Sequence, residues 1–143
     1  MKLTEHFTLE EMLESEKARE NNIREQWMPT DEVVKNLTLL CIHVLEPLRE
    51  ALGPISISSG WRCPRLNKIV SGVSNSQHLT GEAADCEFGG GNQKIIDKVK
   101  ELNLEFDQMI NENNLRWVHL SYMRGLNRKE MLALIDGKYE EIL

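Results

Sequence analysis

The residues of this chain best equipped for chemistry are two histidines and an aspartate. His78 lies in the polar run Ser76-Gln77-His78-Leu79-Thr80-Gly81, Asp85 follows seven positions later, and His119 stands in Trp117-Val118-His119. Two imidazoles and one carboxylate suit a zinc ion at about 2.0–2.2 Å, and three protein ligands leave the fourth tetrahedral position to water. Such a centre lowers the pKa of its water to about 7, so the matching reaction class is metal-assisted hydrolysis. Spacing alone does not decide the matter, because two histidines so far apart in sequence are more often unrelated than paired.

The neighbouring segments show how these side chains could be brought together. Gly81 permits a sharp turn between His78 and Asp85. Ala83–Phe88 reads as a strand, and Phe106–Ile110 and Trp117–Tyr122 read as the strands of a hairpin around the loop 111–116. Alternation then puts Trp117, His119 and Ser121 on one face and Val118, Leu120 and Tyr122 on the other. Upstream, Ile55-Ser56-Ile57-Ser58 alternates apolar and polar residues and delivers Ser59-Gly60-Trp61-Arg62 to the end of a strand.

Helices are expected around this core. The segment 8–20 opens with Thr8 and Glu11 at capping-box spacing. Over 31–51, Val33, Leu37, Leu40, Cys41, Val44, Leu45 and Leu48 share one face, with His43 on the opposite, polar one. Pro64 starts a short helix through Val70, and Asn92–Leu102 forms another through Ile95, Ile96, Val99 and Leu102. Asn127–Ile135 predicts a last helix and Lys138–Leu143 a polar tail. The sum is one α+β domain over 1–143, with helices against a small antiparallel sheet. It has a helical amino-terminal part at about 8–51, a metal-site core at about 54–122, and a C-terminal helix and tail at about 127–143.

Composition narrows the function. A chain of 143 residues is the size of one domain. Its 17 Lys and Arg against 23 Asp and Glu give a net charge of -6, which repels a phosphate backbone and argues against nucleic acid as partner. The longest apolar stretch, Leu37–Val44, is broken by Thr38 and His43, far short of a membrane span. Cys41, Cys63 and Cys86 form no C-x-x-C pair and read as small core residues, which argues against a thiol hydrolase using His78 or His119. The start, Met1-Lys2-Leu3-Thr4-Glu5-His6-Phe7, lacks the basic flank and apolar core of a signal peptide, so synthesis in the cytoplasm without export signal is expected.

The pattern Ser76-x-His78-x-x-Gly81-x-Ala83-x-Asp85 followed by Trp117-Val118-His119 resembles the zinc D,D-carboxypeptidase and L-alanyl-D-glutamate peptidase family. Its wider fold group includes the D-alanyl-D-alanine dipeptidases and the hedgehog signalling domain. The similarity extends to Ser59-Gly60-Trp61-Arg62-Cys63-Pro64 and Phe106-Asp107-Gln108 and covers about residues 3–131, and the chain looks most like the short variants encoded by bacteria and their phages. The resemblance implies a hedgehog-like fold in which His78, Asp85 and His119 bind Zn2+ while Arg62 and Ser76 contact the substrate, a peptidoglycan stem peptide. It also implies action on the cell wall after release or delivery by phage machinery, and we expect a monomer. The planar fork of Arg62 suits bidentate binding of a substrate carboxylate.

The general base is where the chain departs from the better-known members, which place Glu or Asp three positions before the final histidine. That position is Arg116, which cannot accept a proton. The nearest acidic residues are Glu112 and Asp107. With a two-residue turn at Asn113-Asn114, Gln108 falls opposite His119, and Glu112 lies on the same face but four residues along, about 13 Å away. A wider loop over 111–116 would bring Glu112 back, whereas a one-residue slip would bring Asp107 to that face. We expect Glu112 to be the base, with Asp107 as the alternative, and Gln108 to orient His119. Trp61 and Trp117 are expected to wall the cleft. The competing reading is a non-catalytic zinc-containing module that binds murein or a protein without cutting.

Overall fold

The computed structural model describes residues 1–142. In chain order the elements are α1 (Leu9–Leu13), α2 (Glu16–Glu20), α3 (Asp31–Leu40), α4 (Glu46–Leu52), β1 (Ile55–Ser59), α5 (Pro64–Ile69), β2 (Ala83–Phe88), α6 (Gln93–Glu101), β3 (Gln108–Glu112), β4 (Trp117–Ser121), β5 (Glu130–Ile135) and β6 (Lys138–Glu141). The six strands form one sheet in the order β1-β2-β4-β3-β5-β6. Helices cover one face of it, so the α+β class stands.

The helices follow their apolar faces. Thr8 caps α1 by accepting from the Glu11 N–H at 3.2 Å, but the segment 8–20 is two helices rather than one. Glu14 adopts an extended ψ of 132°, and Ser15 restarts the chain by capping α2 through the Ala18 N–H. From Asp31 to Leu52 the rod is continuous, with a π turn over Cys41–Leu45 joining α3 to α4. Pro47 accounts for the wide turn: it has no N–H for the His43 carbonyl and its ring crowds that carbonyl, so the ladder reaches back one residue further, from Glu46 N to Cys41 O. Leu37, Leu40, Cys41, Val44, Leu45 and Leu48 are fully buried against the sheet residues Ala84, Cys86, Val118, Leu120 and Met109. His43 is exposed, as its polar face predicts, and stacks on Tyr122 with ring centroids 4.5 Å apart.

The carboxyl-terminal reading is corrected by the structure. Asn127–Ile135 is not a helix, and the polar tail is not unstructured: β5 runs parallel to β3, pairing Gln108 with Glu130 and Ile110 with Leu132, and β6 folds back on β5. The sheet is therefore larger than expected and carries one parallel pair. Met131, Leu132, Ala133 and Leu134 favour a helix by propensity, but that preference is weak beside the open hydrogen-bonding edge of β3. The reversal is made by Asp136 and Gly137, with φ of 49° and 77°, the two left-handed positions of a tight hairpin turn. Leu143, the end of that tail, lies outside the described residues. Among the described residues no helix is long and apolar enough to cross a membrane.

Candidate metal centre and cleft

His78, Asp85 and His119 converge. Their potential ligand atoms all lie within 4.8 Å of one another, and all three side chains are buried. The sheet register accounts for half of this. Asp85 on β2 is directly opposite His119 on β4, so the two share the face turned away from the helices. His78 arrives from a 3-10 turn, Gln77–Thr80, which Ser76 caps by accepting from the His78 N–H at 3.2 Å. Gly81 ends that turn at φ +79°, and a side chain there would meet the Val33 carbonyl at 2.8 Å, so the sharp reversal before Asp85 requires glycine.

Gly60 is the second obligatory glycine. A Cβ on it would sit 2.2 Å from the Met12 carbonyl oxygen, so the end of β1 passes directly beneath α1. That close approach aims the Gly60 carbonyl at His78 Nδ1, 2.7 Å away. A carbonyl only accepts, so Nδ1 carries the proton and Nε2 presents a lone pair. This Nε2 faces Asp85 Oδ1 at 3.3 Å, and His119 Nδ1 faces the same oxygen at 3.4 Å. A lone pair aimed at a carboxylate oxygen is repulsive unless a cation lies between them. The donor set therefore fits a divalent metal of zinc's preferences, held by His78 Nε2, His119 Nδ1 and Asp85.

The three residues lie in a cleft of about 720 Å³, which Arg62, Ser76, Glu112, Trp117 and Tyr139 also line. Arg62 is anchored by hydrogen bonds from Nε to Ser59 Oγ at 3.2 Å and from Nη1 to Asn67 Oδ1 at 3.0 Å, with Nη2 3.7 Å from Asp85 Oδ2. Trp61 does not share the cleft. It is packed in the core with its indole N–H on the Leu79 carbonyl at 3.0 Å.

The two acidic residues differ sharply in surroundings. The turn after β3 spans residues 113–116, with Asn113, Asn114 and Leu115 all at positive φ, so Ile110 rather than Gln108 pairs with His119, and Glu112 pairs with Trp117. The two-residue turn is thereby corrected to a four-residue one. Glu112 now lies on the metal face two residues along from His119, about 7 Å rather than 13 Å. It is buried, its carboxylate's only hydrogen-bonding side chain among the described residues is the Tyr139 hydroxyl at 3.3 Å, and burial pushes its pKa up. Asp107, just before β3, is also buried, but both of its oxygens are engaged. Arg128 donates from Nε to Oδ1 at 3.0 Å and from Nη2 to Oδ2 at 2.7 Å, and Gln77 Nε2 donates to Oδ2 at 2.8 Å. The Arg128 hydrogen bonds hold the Asp107 carboxyl below the usual range.

Gln108 does not orient His119. Its side-chain amide donates to Glu130 Oε1 at 2.7 Å, and the residue beside His119 Nε2 is Gln77, at 3.4 Å. Gln77, Arg128 and Tyr139 are the cleft residues that sequence reasoning passed over. The Asp136-Gly137 pair was a legible hairpin signal that would have found Tyr139, whereas nothing local marks Gln77 or Arg128. Cys41, Cys63 and Cys86 are buried and free. Burial pushes the Cys41 thiol up to about 12 and Cys86 well above its ordinary value, so neither offers a thiolate.

The chain thus carries, on an α+β fold, a buried His-Asp-His group that could hold a metal ion. The chain belongs to the peptidase M15 family, whose model matches residues 5–121. Over 57 residues it is 40% identical to the zinc D-Ala-D-Ala carboxypeptidase of Streptomyces albus G. That stretch is 38% of this chain and 22% of the relative, so the match spans about a fifth of that protein's length.

Proposed function

We propose that this protein is a zinc peptidase that hydrolyses peptide bonds in bacterial cell-wall stem peptides, of the D,D-carboxypeptidase or L-alanyl-D-glutamate endopeptidase type. The observation that carries the reading is the convergence of two imidazole nitrogens and a carboxylate oxygen in one cleft. His78, Asp85 and His119 would hold a zinc ion, which when bound would supply Lewis acidity and lower the pKa of a water. Glu112 is the general base. It lies on the same sheet face, its raised pKa suits it to take a proton from the attacking water and return it to the leaving amine, and its carboxylate is not committed to an ion pair. Asp107 is unsuited to that role because Arg128 and Gln77 occupy its oxygens. Arg62 binds a substrate carboxylate, and the Ser76 hydroxyl, which accepts from the His78 N–H, keeps its own proton to donate to the substrate.

Arg116 at the position of the missing family base is the observation that favours a binding module. It lies exposed in the turn, its N–H donating to the Glu112 carbonyl at 3.0 Å. One experiment separates the readings: zinc content by elemental analysis, and amine release from purified murein, for the wild type and for His78→Ala and His119→Ala. One zinc per chain, lost with cleavage in both variants, is the expected result. Zinc without cleavage would establish the binding module, and absence of zinc would overturn both.

A further inference from the structure

His119 can ligate through Nδ1 only if its proton is on Nε2, and nothing in the ring itself enforces that choice. Three residues outside the metal group do so in sequence. Arg128 donates two hydrogen bonds to Asp107, and the Arg128 backbone N–H adds a third at 3.2 Å, which keeps the carboxylate ionised and acceptor-only. The Gln77 amide must therefore turn its NH2 toward Asp107, 2.8 Å away, and this leaves its oxygen beside His119 Nε2 at 3.4 Å. An amide oxygen only accepts, so Nε2 holds the proton and Nδ1 keeps its lone pair toward Asp85. Each orientation follows from the one before it.

We propose that Gln77 is a positioning residue that sets the tautomer and ring orientation of His119, and that Asp107 and Arg128 set Gln77. The inference rests on the metal-site reading above and extends it. It also gives the carboxyl-terminal segment a role. Residues 128–130 are fastened to the start of β3 by Lys129 N to Phe106 O at 3.0 Å and Glu130 N to Asp107 O at 2.9 Å, and they lie beyond residues 5–121 that match the family model. Docking of β5 on β3 brings Arg128 to Asp107, so the carboxyl-terminal strands help prepare the metal group as well as lining the cleft.

The test has two readouts. The first is the protonation of each His119 ring nitrogen, from nitrogen-15 NMR above about pH 8, where imidazole is neutral, on metal-free protein carrying Asp85→Ala, which removes the carboxylate 3.4 Å from Nδ1 that would otherwise compete for the proton. The second is Zn2+ affinity by competition with a chromogenic chelator. With Gln77 in place, that background is expected to show a single Nε2–H tautomer at His119. Gln77→Leu is expected to show a mixture of tautomers and zinc binding weakened about 10- to 100-fold, the usual effect of removing a group that orients a metal ligand. Arg128→Ala alters the half-exposed end of the chain of contacts and so spares the core. It is expected to move both readouts in the same direction by a smaller, several-fold amount. The proposal is overturned if, with Gln77 in place and Asp85 removed, His119 carries its proton on Nδ1. It is also overturned if Gln77→Leu, or Arg128→Ala should the first variant not fold, leaves the nitrogen shifts unchanged and zinc affinity within twofold. A wild type that takes up no zinc would sink the peptidase reading alone, since the tautomer measurement still decides the role of Gln77.

Discussion

The two ends of β3 carry two buried carboxylates with opposite fates. At the Asp107 end, fully buried, every oxygen is spoken for by Arg128 and Gln77, and the backbone on either side is pinned by Ser121 and Glu130. At the Glu112 end, 8% exposed, the carboxylate has among the described residues one long-range donor, the Tyr139 hydroxyl at 3.3 and 3.5 Å from its two oxygens, and faces the cleft. Burial raises the energy of both charges, but only Asp107 is compensated by charge-assisted hydrogen bonds. A carboxylate held by several donors is a fixed part of the scaffold. One left nearly without donors in a cleft is free to exchange a proton.

The largest effect expected from this contrast is on catalysis. Glu112→Gln should lower murein hydrolysis by about 10²- to 10⁴-fold, the usual contribution of a general base, while zinc content stays at the wild-type level. Equal rates for Glu112→Gln and wild type would move the base elsewhere.

Stability should show the reverse order. Asp107→Asn exchanges charge-assisted hydrogen bonds for weaker neutral ones and should cost about 2–3 kcal/mol in urea unfolding of the metal-free protein near neutral pH. Because Arg128 lowers the folded pKa of Asp107, this stabilisation is present above the ordinary value of 3.8 and is lost as pH falls through the lower folded value. Glu112 has the opposite sign. Its raised folded pKa means that its protonated form is favoured in the fold, so its contribution is present below the ordinary value of 4.5 and is lost as pH rises through the folded value. Glu112→Gln should therefore be more stable than wild type at neutral pH and converge with it below about pH 4.5, while Asp107→Asn should be less stable and converge only at still lower pH. Parallel pH profiles for the two variants would remove the distinction between the two ends of the strand.

The smallest effect is expected at Tyr139. Its hydroxyl is 3.3 Å and 3.5 Å from the two Glu112 oxygens and the residue is 56% exposed, so Tyr139→Phe should change the hydrolysis rate by less than about threefold. A larger loss, measured as kcat separately from KM, would mean that Tyr139 touches the reacting groups themselves.

Much of this site was legible before the fold. The segment from Ser76 to Asp85 is local, and its requirements are local too: a capped turn, a glycine at positive φ, then a strand. The amphipathic rod over 31–51 was equally plain, since a helical face repeats within a few residues whether or not Pro47 widens one turn. The register of β3 on β4 was less so. It depends on how many residues the turn takes, and three consecutive positive-φ residues at Asn113, Asn114 and Leu115 shifted it by two positions and moved Glu112 along the shared face toward His119. The same limit explains why Gln108 is the partner of His119 that the sequence suggests, whereas the structure puts Gln77 there.

By itself the sequence determined which side chains were chemically suited to hold a metal, where the amphipathic helix and the central strands run, and which charge and apolar patterns exclude other functions. Those properties follow from residue type and short-range periodicity, which survive in any packing. Only the tertiary structure decided that residues 130–135 and 138–141 are strands, that Asp107 is locked in an ion pair, and that Gln77 stands beside His119 Nε2. Each of these depends on hydrogen-bonding groups distant in sequence, Arg128 on Asp107 and β5 on β3, and a hydrogen bond has direction and reach that composition and spacing do not encode.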